Sequence, residues 1–307
     1  MSVYNTFLLA TFLGFCMLCP SYIFAQDEGL VSIKEQTEES RKDKSMRLID
    51  ETLLQYDDLK EIFMYPYEHS EDTWYYLAGL GGLILVDKPV TAYYQDKIEP
   101  IFAGHKLKFP SWAKFWPDRA AEGYITLGVT SSYLVGMALN DARMQQSALL
   151  AGKASVYSIL ISHLTIKTLL ARKRPVANLS SGEGESRDYT TNPFAFGYYH
   201  APSLQSGKQY GTAMPSLHYT DFFAVAKVYQ KMYNNYWVPY SLLAIALTSN
   251  IQGHKHWVSD MVAGAVIGTL IGDVITDHVL QGNYKSTSMI LPTISGDEVG
   301  LSLNYQF

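Results

Sequence analysis

The stretch "GHKHWVSDMVAGAVIG", Gly253–Gly268, places His254, His256 and Asp260 in front of an uncharged run of small and branched residues. His256 and Asp260 are four residues apart, so on a helix they share one face. Beyond Gly268 the run continues to Val279, interrupted by Asp273 but otherwise mostly apolar, the pattern of a helix buried among other helices. Three readings fit an imidazole and a carboxylate at such a helix mouth. They are a nucleophile oriented by its neighbour, a metal site that recruits His254, and a structural hydrogen bond.

Working outward, further weakly polar helix-like runs fall near Trp74–Val86, Ala120–Leu139, Ser147–Leu170, Ser216–Tyr233 and Tyr240–Ser249, the last continuing after a break into Trp257–Val279. Amphipathic spacing from about Met46 to Ile62 predicts a first helix behind a charged, exposed arm. The expectation is an all-α fold, a bundle of about six core helices. Its domains divide as a signal peptide over 1–25, a polar arm and first helix over 26–65, a helical domain over 66–284 and a strand-like tail over 285–307. In that tail "EVGLSLNYQF" alternates strictly, with Val299, Leu301, Leu303, Tyr305 and Phe307 on one face.

The chain has 307 residues and a net charge of -5, which supplies no general basic surface for nucleic acid. Any anion site must be local. The N-terminus, "MSVYNTFLLATFLGFCMLCPSYIFAQDEG", has an apolar core from Phe7 to Leu18 and a small residue, Ala25, before a polar stretch. That pattern predicts export, and both cysteines, Cys16 and Cys19, would leave with the signal peptide. A spanning helix needs about 20 apolar residues, and these runs are shorter or interrupted by Glu122, Lys153 or Asp273. The reading is therefore a compact helical domain in the periplasm or at the cell-envelope membrane. Between Pro175 and Pro215 lies a Gly, Ser, Tyr and Asn-rich stretch long enough to be a lid, a binding loop or disorder.

Two more segments carry polar groups of the same kind. "KTLLARKRP", Lys167–Pro175, ends a helix that Pro175 is expected to terminate; Lys167 and Arg174, seven apart, would then point to the same side. Two cations there either balance the helix dipole or hold a phosphate. In "AMPSLHYTDFF", Ala213–Phe223, Pro215 is expected at the first helical position, leaving the amides of Ser216, Leu217 and His218 pointing outward as an anion site. A plain capping turn reads equally well from this stretch alone.

The order Lys-x6-Arg-Pro, Pro-Ser-x-His, Ser-x6-His-x3-Asp resembles the type 2 phosphatidic acid phosphatase superfamily, which includes lipid phosphate phosphatases, bacterial class A acid phosphatases and vanadium-dependent haloperoxidases. The resemblance runs from about Trp74 to Leu280. It implies a hydrolase in which His256 attacks phosphorus, Asp260 orients His256 and His218 protonates the leaving oxygen. Lys167, Arg174, Ser216 and the amides at Leu217 and His218 would hold the nonbridging oxygens. It implies no metal and no organic cofactor, and a small-molecule or lipid phosphate as substrate.

Two positions depart from the family pattern. Leu217 stands where glycine is usual, a feature similar to the sphingolipid-headgroup transferases of the superfamily, so a lipid phosphotransferase is the alternative activity. Asn250 stands where arginine is usual. A lost charge-assisted bond costs about 1.5 to 3 kcal/mol, roughly one to two decades in rate, unless Arg172, Lys173 or a lid residue substitutes. A catalytically weakened relative is therefore a third reading.

Overall fold

The computed structural model describes residues 41–53, 57–102, 120–199, 211–249, 256–281, 288–295 and 298–305. The fold is all-α, as the apolar runs predict. The chain forms α1 (Arg41–Leu53), α2 (Asp57–Glu68), α3 (Ser70–Leu85) and α4 (Asp87–Tyr93), which continues through a π-helical segment, Tyr94–Ile98, into a last turn, Glu99–Phe102. Then come α5 (Ala120–Ala138) and α6, which runs from Ala142 to Leu170 through a π-helical stretch at Ile159–Ile166. The last three helices are α7 (Leu217–Tyr233), α8 (Trp237–Ser249) and α9 (Val258–Leu280). The signal peptide and most of the polar arm lie outside the described residues. The first helix expected over Met46–Ile62 is two helices, α1 and α2, and the helix over Asp87–Phe102 has no counterpart in the sequence reading.

Local chemistry sets the ends of several helices. The Asp141 carboxylate accepts the Met144 amide at 3.0 Å and caps α6; Asn235 Oδ1 does the same for the Val238 amide at the start of α8. Asn234 closes α7 in the left-handed region, where asparagine is tolerated. The core forms where α6, α7 and α9 meet. Leu150, Ala151 and Ala154 of α6 pack on Ala224, Val228 and Met232 of α7 and on Ile271, Val274 and Ile275 of α9, with Ile62 closing the cluster from α2.

Close approach of α7 and α9 depends on glycines at every fourth position of α9. A Cβ at Gly264 would lie 2.5 Å from the Ser216 carbonyl oxygen, at Gly268 2.1 Å from that of Thr220, and at Gly272 2.4 Å from that of Ala224. Any side chain there meets backbone, so only glycine lets the helices touch along this length. That contact holds the starts of α7 and α9, and with them the second and third motifs, at one end of the bundle.

Lys153, an interruption in the apolar pattern of α6, is buried. Its ammonium pairs with the fully buried Asp58 of α2 and donates to the Thr52 carbonyl at 3.0 Å, and Asp58 also meets His278 of α9. Far from breaking a core helix, Lys153 ties α1 and α2 to it. The C-terminal alternation does form a strand, β4 (Glu298–Tyr305). It is not alone: β4 pairs antiparallel with β3 (Ser288–Ser295), Ser288 opposite Tyr305.

Candidate functional site

The three motif segments are joined backbone to backbone. α6 ends at Leu170 because Ala171 turns into the left-handed region, φ 45° and ψ 49°, and its amide closes the helix on the Lys167 carbonyl. The chain then runs extended, with β1 (Arg174–Pro175) parallel to β2 (Tyr189–Thr190). Beside it lies the approach to α7, where the Ala213 amide donates to the Arg172 carbonyl at 3.0 Å. The third segment joins from the other side. The Ser216 amide donates to the Asp260 carbonyl at 2.9 Å, and His256 Nδ1 lies 2.8 Å from the Ala213 carbonyl oxygen. Gly211, with φ 70° and a virtual Cβ 2.3 Å from the Tyr198 carbonyl oxygen, is a place where the loop needs glycine.

This geometry corrects two helical expectations. Pro175 does not end the first motif's helix, which has already stopped at Leu170, so Lys167 and Arg174 do not share a helical face. Lys167 is buried on the last helical turn, while Arg174 sits on the extended segment and donates through Nε and Nη2 to the Thr212 hydroxyl at 3.3 and 3.2 Å. Pro215 is not the first helical residue either. It follows a cis peptide bond, Ser216 is the N-cap, and α7 begins at Leu217. The Ser216 amide is thus already engaged by the Asp260 carbonyl, and of the expected set Leu217 and His218 remain on the first turn of α7. The Ser216 hydroxyl oxygen is buried with no hydrogen-bond partner among the described residues. His218, half-buried, is the second residue of α7. Asn250 and His254 lie outside the described residues.

The third expectation to fall is the direct bond between Asp260 and His256. Their closest approach is 3.7 Å, beyond hydrogen-bond range. The fully buried Asp260 carboxylate is occupied elsewhere: Oδ1 accepts Arg172 Nη1 at 2.6 Å and Oδ2 accepts the Trp257 amide at 2.8 Å. The carbonyl of Ala213 orients the imidazole instead. A carbonyl only accepts, so His256 carries its proton on Nδ1 and keeps the Nε2 lone pair. Burial lowers the imidazole from its ordinary 6.5 to about 4; the Arg174 and Lys167 cations push the same way, and Asp260 opposes them. Two cations from the first motif thus act on a neutral imidazole from the third.

Arg172 is not available to substitute for the arginine that the resemblance leads one to expect at position 250. Its guanidinium is fully buried, donates to Asp87, Asp260, Ser259 and the Pro193 carbonyl, and is flanked by the Phe196 and Trp257 rings at 5.0 and 5.2 Å. Lys173 donates to the Ser186 carbonyl at 2.6 Å over the Tyr198 ring. Sequence reasoning missed Thr212, which holds Arg174, and Asp87, which shares Arg172 with Asp260. Asp87 lies 85 positions from Arg172 and carries no local signature of the partnership.

Brought together are Lys167, Arg174, Ser216, His256 and Asp260, with Leu217 and His218 on the adjoining first turn of α7. The set has two cations, a buried hydroxyl, helix amides and an oriented neutral imidazole, which is the equipment for binding a tetrahedral oxyanion and attacking it. Among the described residues no cluster of histidine, cysteine, aspartate and glutamate is arranged to hold a metal ion. In comparisons with known proteins, the chain matches no family model, no curated protein and no solved structure.

Proposed function

We propose that this protein is a phosphohydrolase that cleaves a phosphomonoester or pyrophosphate, by preference that of a lipid, through a phosphohistidine on His256. The observation that carries the reading is the convergence of the Lys167 and Arg174 cations on an imidazole whose Nδ1 is tied to the Ala213 carbonyl. His256 Nε2 forms a bond to phosphorus as the bond to the leaving oxygen breaks, and His218 delivers the proton that oxygen needs. Lys167, Arg174, the Ser216 hydroxyl and the first amides of α7 stabilise the charge on the three nonbridging oxygens. Water, deprotonated by His218, then attacks phosphorus and returns the electron pair to Nε2.

A lipid substrate is supported by what surrounds the site. Residues 195–198 lie beside 170–173, through the Gly197 amide on the Leu170 carbonyl and the Tyr198 amide on that of Ala171. Tyr198 on the first of these segments, and Phe194, Tyr199 and Leu169 immediately flanking the two, are exposed. The flanks of the bundle are apolar too. Contrary to the expectation that Lys153 and Asp273 interrupt them too early, the two core helices Ala142–Leu170 and Val258–Leu280 are by length and composition apolar enough to cross a membrane. α3 buries no side chain, and Trp74 and Tyr75 on it and Trp237 on α8 are 70, 78 and 84 % exposed. Residues 73–86, 123–140 and 232–249 contain no charge. Exposed apolar surface of this extent is characteristic of contact with lipid. The protein then resides in the cell-envelope membrane, where its substrates also lie.

The test is phosphate release by purified protein from phosphatidate in mixed micelles and from a soluble aryl phosphate, with and without EDTA. Faster release from the lipid, retained in EDTA and lost in His256→Ala, is expected, with labelled phosphate trapped on His256 as an acid-labile phosphoramidate. No release from either substrate overturns the reading.

A further inference from the structure

The first turn of α9, which follows directly on the candidate nucleophile His256, is capped from another helix. The Val258 amide donates to the Thr91 hydroxyl at 3.0 Å, and the Ser259 amide donates to Asp87 Oδ1 at 3.2 Å. Thr91 in turn donates to Asp87 Oδ1 at 3.0 Å, so the two side chains, four apart on α4, act as one unit. Asp87 Oδ2 takes Arg172 Nη2 at 2.9 Å and the Ser259 hydroxyl. Arg172 then links across to Asp260 at 2.6 Å, and Asp260 takes the remaining amide of the turn, Trp257. Three consecutive amides, 257 to 259, are therefore held by Asp260, Thr91 and Asp87. Asp87, Thr91, Asp260 and Arg172 are all buried.

A helix whose first amides are satisfied by another helix has its start fixed relative to that helix. His256 is two residues upstream of Val258, with its ring on the Ala213 carbonyl. We infer that Asp87 and Thr91, outside all three motifs, are positioning residues: with Arg172 as the shared link, they clamp the start of α9 so that His256 stays in register with the Ala213 carbonyl and the phosphate-holding cations. This inference rests on the proposed phosphohydrolase. It assigns α4 a part in the reaction without contact to the substrate.

The experiment uses the full-length protein with Thr91→Val, Thr91→Ser and Asp87→Asn. Turnover is normalised to active sites counted by the phosphohistidine burst, and the His256 ring is observed by nitrogen-15 NMR of histidine-labelled protein. A displaced attacking group loses rate without losing binding, so Thr91→Val and Asp87→Asn are expected to lower kcat per active site about ten- to a hundredfold with KM unchanged. Thr91→Ser, which keeps the hydroxyl, is expected to retain the rate. In the two impaired variants the single Nδ1–H tautomer of His256 is expected to give way to a mixture. A purely structural role predicts fewer active sites, each with wild-type kcat and an unchanged tautomer, and that result overturns the inference. If Asp87→Asn does not fold, Thr91→Val decides by the same criteria. If the wild-type protein releases no phosphate, the proposed function fails and the tautomer measurement alone decides this inference.

Discussion

Adding a single methyl group at Gly268 tests the contact that brings the motif ends together. In Gly268→Ala the new Cβ would lie 2.1 Å from the Thr220 carbonyl oxygen, 2.9 Å from its carbon and 3.0 Å from the Ala224 nitrogen, whereas ordinary contact begins at 3.4 Å. All three are backbone atoms of a core helix, so no side chain can swing aside, and α7 and α9 must part by about 1 Å. Overpacking costs about 1 to 3 kcal/mol, here at the upper end, and the better helix propensity of alanine returns about 1, leaving a net loss of about 2 kcal/mol. Gly79 supplies the control, because a Cβ there meets nothing within 4 Å. Gly79→Ala is therefore expected to gain the propensity term alone, about 1 kcal/mol. Thermal unfolding of both variants beside the wild type reads the difference: Gly268→Ala should melt below it and Gly79→Ala at or above it. Equal melting of Gly268→Ala and the wild type would refute backbone contact between α7 and α9 and the alignment of the motifs built on it.

The lowered titration of His256 predicts two pH effects. Between its unfolded value of 6.5 and its folded value of about 4, the unfolded chain takes up a proton that the native state refuses, so stability falls as pH drops through that window. At about 1.4 kcal/mol per pH unit the contribution is about 3 kcal/mol, and it should vanish in His256→Gln when unfolding is followed from pH 7 to 4. The acid limb of kcat/KM should likewise lie near 4, since the proposed attack requires a neutral imidazole; an NMR titration of the ring near 6.5 would contradict both. Lys153→Met removes one partner of a buried ion pair and is expected to destabilise the protein by about 3 to 5 kcal/mol in chemical denaturation, with Asp58→Asn in the same chain restoring part of the loss. A neutral Lys153→Met would show that the pair does not hold α2 to the core.

Much of this architecture is written in local pattern. Long apolar runs between charged ends predict helices because each must bury its face, and the alternation of residues 298–305 predicts a strand for the same reason. The three polar segments are recognisable because their residue types and spacings are local features. What misleads is the assumption that a spacing implies one continuous element. The left-handed turn at Ala171 takes Arg174 off the helix of Lys167, and α7 starts at Leu217 with Ser216, not Pro215, at its edge. Neither is signalled by the residues that flank it. The i, i+4 spacing of His256 and Asp260 suggests a bond, but His256 stands before α9 begins and the Asp260 carboxylate is occupied by Arg172 and the Trp257 amide.

The sequence by itself determined that the chain is helical, that it carries polar groups suited to an oxyanion, and in which order they occur, since these depend on neighbours within a few positions. Only the tertiary structure decided who holds whom. The partner of His256 is a carbonyl 43 positions away, Asp87 reaches Ser259 across 172 positions, and a stripe of glycines sets how closely their helices meet. The physical reason is that a buried polar group must find a partner wherever the fold brings one, and sequence distance does not limit that search.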